Sequence, residues 1–533
     1  MKTVQFILIS LVLGIGLGSI SYSADEEEVM LIADEGEGQN QMCADVFRNS
    51  VIVGVHSDVG LAKIYVRDGK EWKEQAELTA KNFAAAAADN FGFSVAINGP
   101  RVWGAANIAI VGAPQHDGAG DDSGAAYIFS RSGDTWEQRA KLVADDAAAA
   151  DTFGYAVSID RNTAIVGSPK HDAAGSNSGA AYIFAGDDSW NQQAKLVPKD
   201  LEGRDTFGTS VFVRERTAVV GAPAHTHSGI KSAGAAYVFV REGETWREQA
   251  KLTPDDAAQR DRFGHSVAMS MSSDTIIVGA PFDDTERGAD AGAAYIFALD
   301  GDTWKQQAKL MIKSAREGDQ LGSGVATTGK IAILGAKSRD EGDRASGAAY
   351  AFVRVDGVWE EREQVTPLVP IRQGFFGFWV AMSENTVVIS AHIEPRPLPH
   401  KSNGAAAFVY NSIEDFGTPP FAVEPFGLRL TTLGQVKRTA LYQNFPNPFN
   451  PETWMPYRLV VEAPVTFRIY NVQGQLTREL NLGTQKAGGY LTRQTAAYWD
   501  GRDGVGETVS SGVYFYTLQA GPFQATRRML ILK

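Results

Sequence analysis

The sequence predicts an all-β protein, a seven-bladed β-propeller closed by an N-terminal strand and followed by a small β-sandwich. Three observations predict it. The string Gly124-Ala125-Ala126-Tyr127-Ile128-Phe129 returns at Gly179–Phe184, Gly234–Phe239, Gly292–Phe297 and Gly347–Phe352, as Gly404–Val409, and in worn form at Leu61–Val66. Successive copies lie roughly 55–62 residues apart, the period of one multi-stranded unit. Of the 533 residues, 55 are glycine and 44% are hydrophobic, a turn-rich globular composition too long for one ordinary core. The last copy lacks the strand that follows each of the others, and an unmatched strand stands at the N-terminus.

Residues 153–197 show the unit most clearly. Phe153–Ile159 is a β-rich run, Asp160-Arg161-Asn162 a turn, and Thr163–Gly167 a second strand ended by Pro169, which has no N–H for a ladder. A polar loop leads to the third strand, Gly179–Phe184, and Gly186-Asp187-Asp188 turns the chain into a fourth, Trp190–Leu196. Both alternating sets of the third strand, Ala180/Tyr182/Phe184 and Ala181/Ile183, are apolar, so both faces need cover. Neighbouring sheets supply it in a propeller, where the alanines permit close approach and the aromatics fill the wedge. The seventh unit, 376–410, has no Trp-x-x-Gln-Ala-Lys-Leu strand, whereas residues 28–34, ahead of the first unit, align with the end of such a strand at Lys141–Asp145. Sharing that blade between the chain ends closes the ring and removes exposed edges.

Residues 1–23, with Lys2, an apolar run from Val4 to Ile20 and small residues before Asp25–Glu28, read as a secretory signal peptide. No later stretch is apolar enough to span a membrane. A net charge of −13 disfavours nucleic acid as a partner. The single cysteine, Cys43, leaves no intrachain disulfide, which points to a bacterial envelope protein stabilised by sheet packing.

Each unit opens on Phe-Gly and its second strand ends near Gly-Ala-Pro: Phe91-Gly92 with Gly112-Ala113-Pro114, Phe153-Gly154 with Gly167-Ser168-Pro169, Phe207-Gly208 with Gly221-Ala222-Pro223, Phe263-Gly264 with Gly279-Ala280-Pro281. Residues 28–410 thereby resemble the FG-GAP propellers of integrin α-chains and their bacterial relatives, with worn forms such as Leu321-Gly322 and Gly335-Ala336-Lys337. That resemblance implies a calcium loop between the two motifs in many members. Here the segments are Asp160–Thr163, Arg214–Thr217 and Ser272–Thr275, too short and too poor in acids, so no cofactor is expected and calcium is not expected at that position, which leaves it open only at the Asp-Asp pairs before each Phe-Gly.

The long 2→3 loops and 4→1 connections emerge on one face, the tight 1→2 and 3→4 turns on the other, and binding is expected on the long-loop face. Its candidate ligand residues are His116, Asp117, Asp121, Asp122, His171, Asp172, His225, His227, Asp283 and Asp284, to be set against the plainer reading of turn-bonded loop residues duplicated with the repeat. No catalytic or metal-site motif appears in a fitting context. The expected function is therefore non-enzymatic binding or adhesion toward an extracellular protein or glycan, by a secreted or surface-displayed protein. An extracellular polysaccharide hydrolase or lyase, with dispersed acids in the channel, is the alternative.

Residues 411–440, with Pro419, Pro420 and Pro425, read as a linker, and 441–533 as a second domain. Asn447-Pro448-Phe449-Asn450-Pro451, Trp499-Asp500-Gly501-Arg502-Asp503, Ser511–Tyr516 and the terminal Arg528–Lys533 closely resemble the immunoglobulin-like C-terminal sorting domain of type IX secretion substrates. The resemblance implies engagement of outer-membrane secretion machinery through 441–533.

Overall fold

The computed structural model describes residues 21–23, 28–36, 42–55, 60–68, 71–80, 89–99, 106–186, 189–340, 345–366, 374–384, 386–393, 403–410, 440–441, 444, 449, 452–459, 461–486, 488–490, 495–521 and 523–531. The chain divides into two compact units, Met1–Gly417 and Thr418–Lys533.

The first unit is a succession of antiparallel sheets consistent with propeller blades. Sheet I comprises Met42–Phe47, Ser50–Val55, Leu61–Asp68 and Glu71–Leu78. Sheet II comprises Ser94–Asn98, Ile108–Ala113, Ala125–Ser132 and Thr135–Leu142. Sheet III is Ala156–Asp160, Thr163–Ser168, Ala180–Ala185 and Asn191–Leu196. In sheet IV the strands are Ser210–Arg214, Thr217–Ala222, Ala235–Glu242 and Thr245–Leu252. Sheets V and VI repeat the plan from Ser266 to Leu310 and from Leu321 to Val365. Sheet VII takes Val380–Ser383, Thr386–Ile393 and Asn403–Tyr410 from the end of the repeats. Its next strand is Glu28–Gly36, paired antiparallel with Leu31 opposite Ala407, and Ser21–Ser23 adds a fifth, edge strand. That edge strand falls within the stretch expected to be a leader.

Apolar clusters lie between consecutive sheets. Phe153, Tyr182 and Phe184 of sheet III pack with Ile110, Ala126 and Ile128 of sheet II. The series returns on itself: Ala44, Val46, Val51 and Val53 of sheet I pack with Ala381, Val388, Ala407 and Val409 of sheet VII. First strands pack on first strands in the same order, Val380–Ser383 on Met42–Phe47, and the Arg48 N–H donates to Ser383 Oγ across that seam at 3.1 Å. Ala180–Phe184 is buried on both faces, as the sequence predicts.

Phe153-Gly154 was expected to begin the first strand, but the strand starts only at Ala156. The dipeptide is instead a joint between sheets. Phe153 forms a parallel bridge with Gly124 of sheet II, and Gly154 is left-handed (φ 93°). The bridge recurs at Gly179–Phe207, Gly234–Phe263, Gly292–Leu321 and Gly347–Phe376. The phenylalanine ring turns edge-on to the next tyrosine and phenylalanine, Phe153 lying 5.5 Å from Tyr182 and 5.9 Å from Phe184 between centroids.

The second unit is a C-terminal β-sheet region. Its four-stranded sheet runs Leu476–Gln485, Ala463–Tyr470, Gly512–Ala520, Phe523–Ile531 in spatial order. Two smaller sheets, of three and two strands, share one apolar core with it, where Met455, Tyr457 and Trp499 meet Phe467, Tyr516 and Met529. The Trp-Asp-Gly-Arg-Asp stretch is a turn held from inside: the buried Trp499 Nε1–H donates to Arg502 O at 2.7 Å, and Asp503 Oδ1 accepts the N–H groups of Val505 and Glu507. Phe449 is pinned to the terminal strand, since its N–H donates to Leu530 O at 3.0 Å and its ring packs against Trp499. Among the described residues, no helix is long and apolar enough to cross a membrane.

Candidate functional site: the long-loop face

The 2→3 loops are built by local hydrogen bonds that the sequence dictates. In sheet II, Asp117 Oδ1 accepts the Asp122 N–H at 2.8 Å, Ser123 Oγ accepts Ala119 N–H and donates to His116 O, and Gly124 N–H donates to His116 O. Sheet III repeats this with Asp172, Asn177, Ser178 and Gly179. Asp284 does the same for the Asp290 N–H at 2.9 Å in sheet V. Short acidic side chains suit such turns because they reach back to nearby backbone donors.

Each loop is then joined to the connection entering the next sheet. Ala150, Thr152 and Phe153 donate N–H groups to the carbonyls of Asp121, Asp122 and Ser123; Arg204, Thr206 and Phe207 do so to Ser176, Asn177 and Ser178; Arg260, Arg262 and Phe263 to Lys231, Ser232 and Ala233. The long-loop face is therefore a hydrogen-bonded collar running from sheet to sheet.

Beneath the collar, the histidines are internal. His171 and His225 are buried, and their Nδ1–H groups donate to the buried Asp151 and Asp205 at 2.8 and 2.7 Å. Each Nε2 then accepts from a lysine of the fourth strand, Lys195 or Lys251, at 2.7 Å. The lysine also donates to a second aspartate, Asp146 or Asp200, which takes the hydroxyl of Tyr182 or Tyr237 as well. His116 makes the same pair of contacts with Asp89 and Lys141 and is half-buried. The tyrosine is the fourth residue of the repeated Gly-Ala-Ala-Tyr string, so one motif supplies both the packing and a phenol for this network.

Sheets V and VI substitute the histidine. Asp283 stands there in sheet V, buried, accepting from Lys309 at 2.9 Å and from the Tyr295 hydroxyl. Burial pushes the Asp283 carboxyl above its ordinary range, and it pushes that of the neighbouring Asp261 up to about 6, with the Asp283 charge adding to the effect. Asp261 Oδ1 has no hydrogen-bond partner. In sheet VI, Arg339 takes the place, buried against Asp319 and Tyr350.

Of the ten candidates, His171, His225 and Asp283 are thus buried and bound within their own sheets. Asp117, Asp172 and Asp284 are exposed, each with one oxygen closing its loop. Asp121 is exposed, and Asp122 and His227 are half-buried. Burial, and after it the Lys251 charge, lowers the affinity of His227 for a proton, which favours its neutral ring. His56 and His400 lie outside the described residues. Among the described residues no group of three His, Cys, Asp or Glu side chains is arranged to hold a metal ion. Sequence reasoning missed the lysines of the fourth strand; their signal is the Ala-Lys-Leu ending, which sets each lysine opposite the tyrosine, as in Tyr182–Lys195.

Repeated four-stranded antiparallel sheets, stitched by their loop faces, define a β-propeller-like repeat protein. The family model described as "FG-GAP repeat" matches residues 72–129, 136–184, 190–239, 246–297 and 304–352, and the chain carries five FG-GAP repeats. Each matched segment begins in the fourth strand of one sheet, or at Trp190 one residue before it, and ends in the third strand of the next, so the sequence repeat is offset from the sheet by one strand. The chain is similar to a chain of a solved structure titled "Crystal Structure of Mitotic Checkpoint Complex", at 13% identity and a TM-score of 0.44, over 74% of this chain and 98% of that one. No curated protein sequence matches.

Proposed function

We propose that this is a secreted or surface-displayed bacterial binding protein, whose seven sheets close as a seven-bladed propeller and whose long-loop face engages an extracellular protein or glycan. The observation that carries the reading is the hydrogen-bonded collar: loops already fixed to one another lose little freedom on binding a partner, and they carry exposed acids on backbone that does not have to reorganise. Residues 441–533 act in export as an immunoglobulin-like sorting module recognised by outer-membrane secretion machinery. Support for that part comes from the motif order in the sequence and from the burial of Trp499 and Phe449 in one apolar core.

The test is a glycan and extracellular-protein array probed with the full chain and with an Asp121→Ala/Asp172→Asn/Asp284→Asn variant, whose asparagines keep the loop-closing oxygen. Selective capture that the variant reduces supports the reading. Capture equal for both proteins, or none, overturns it. For export, the full chain and a chain ending at residue 440 are compared in a type IX-competent host; equal release of both overturns the sorting role.

A further inference from the structure

On the opposite face, a cavity of about 380 Å³ opens between sheets III and IV, lined by Asp160, Arg161, Asn162, Thr163, Glu215, Arg216 and Arg241. It lies among the tight turns, so it is separate from the collar. We infer that this cleft binds the acidic group of a sugar unit, a uronate carboxylate or a sulfate ester.

The frame is fixed by hydrogen bonds across the two sheets. Asp160 is buried, and its Oδ2 accepts the Glu215 N–H at 2.7 Å while its Oδ1 faces the Asn98 side chain at 3.5 Å. Arg161 and Glu215 are both left-handed, at φ 56° each, in two-residue turns that leave the following side chains at the rim. Arg216 fixes its guanidinium by donating from Nε and Nη2 to Arg241 O at 2.9 and 2.6 Å, and Arg241 donates from Nε to Gly243 O at 3.0 Å. Each of these two side chains therefore holds a set orientation through its Nε edge. Arg161 is exposed and pairs loosely with Asp160, at 3.6 Å.

Charge and donor type select the ligand. Three guanidiniums face two carboxylates, and one of those, Asp160, is buried and occupied by backbone. The cleft is a cationic spot on a chain whose net charge is −13. Arginine presents paired N–H groups matched to the oxygens of a carboxylate or sulfate. Asn162 adds an amide acceptor at the rim, which suits a hydroxyl donor. An anion bearing hydroxyls uses both sets, and the volume fits a sugar-sized ligand.

The inference does not depend on the long-loop reading. The full chain is titrated calorimetrically with an oligogalacturonate, a sulfated heparin oligosaccharide and an uncharged maltooligosaccharide. Binding of either acidic ligand, weakened about tenfold or more by Arg161→Gln/Arg241→Gln and by added salt, supports it, and the responding ligand names the acid group. Asp121→Ala on the opposite face is expected to leave the titration unchanged. Absence of binding by both acids, equal binding of the neutral sugar, or undiminished binding by the arginine variant overturns it. Thermal melts verify folding, and Arg161→Gln alone, an exposed change, serves if the double variant unfolds.

Discussion

The carbonyl oxygen of Gly208 lies 2.1 Å from the point where a Cβ on Gly167 would stand. Gly208 belongs to the Phe-Gly joint entering sheet IV and Gly167 to the second strand of sheet III, so the two repeat motifs meet across a sheet boundary. The contact recurs between Gly112 and Gly154, Gly221 and Gly264, and Gly279 and Gly322. Gly167→Ala forces backbone against backbone, and its expected cost is about 3 kcal/mol or more. Gly133→Ala, in a tight turn with open space around it, loses only the left-handed preference, about 1 kcal/mol. Denaturant melts of the two variants check the difference; equal losses would refute the boundary role.

Cys43 occupies a serine's place. Its Sγ–H donates to Gly92 O at 3.2 Å, as the hydroxyls of Ser94, Ser210 and Ser266 donate to Gly154, Gly264 and Gly322 at 2.8–2.9 Å. Cys43→Ser is therefore expected to fold with a Tm within a few degrees of the parent. Burial pushes the thiol up to about 12, so labelling by a thiol reagent at pH 8 should follow unfolding. Rapid labelling of the native protein would contradict this placement.

The Asp261–Asp283 pair makes stability depend on pH. Asp261 titrates near 6 when folded, above the ordinary carboxyl value of 3.8, chiefly through burial and then through the Asp283 charge. The folded state therefore holds the proton more tightly than the unfolded chain. The resulting stabilisation is fully present below about pH 4 and is lost as pH rises through about 6. Asp261→Asn keeps the oxygen that accepts the Ala258 N–H and removes the charge. Its expected gain at pH 7 is about 1–2 kcal/mol, fading toward pH 4. Denaturation midpoints at pH 4.5 and 7.5 check it, and a variant gain that grows on acidification would refute it.

His225 tests structure against binding. His225→Ala leaves the buried Asp205 carboxylate without its imidazole partner, and about 3 kcal/mol of stability should go with it. His227→Ala, two residues along the same loop and half-buried, should cost under about 0.5 kcal/mol. Thermal melts separate them; a larger loss at His227 would reverse the assignment.

Deleting residues 24–36 removes the partner of Asn403–Tyr410 and exposes that strand's edge. The expected result is a lower Tm and concentration-dependent association, seen by light scattering. A monomer of unchanged Tm would show the pairing to be dispensable.

The sequence by itself determined the repeated strands apart from their Phe-Gly joints, their grouping by four in sheets I to VI and the pairing of residues 28–36 into sheet VII, but not the fifth strand at Ser21–Ser23. These follow from period-two apolar patterning, proline and glycine breaks and the uneven count at the two chain ends, all local properties. It also marked the face where His116, His171 and His225 stand. Only the tertiary structure decided what those histidines do, because their partners come from distant positions: Asp151 lies 20 residues before His171, and Lys195 lies 24 after it. The same holds for the glycines. Gly167 is required by an atom of Gly208 that only the packing of one sheet on the next brings within contact, and the arginine cleft exists only where the turns at Arg161 and Arg216 are set side by side.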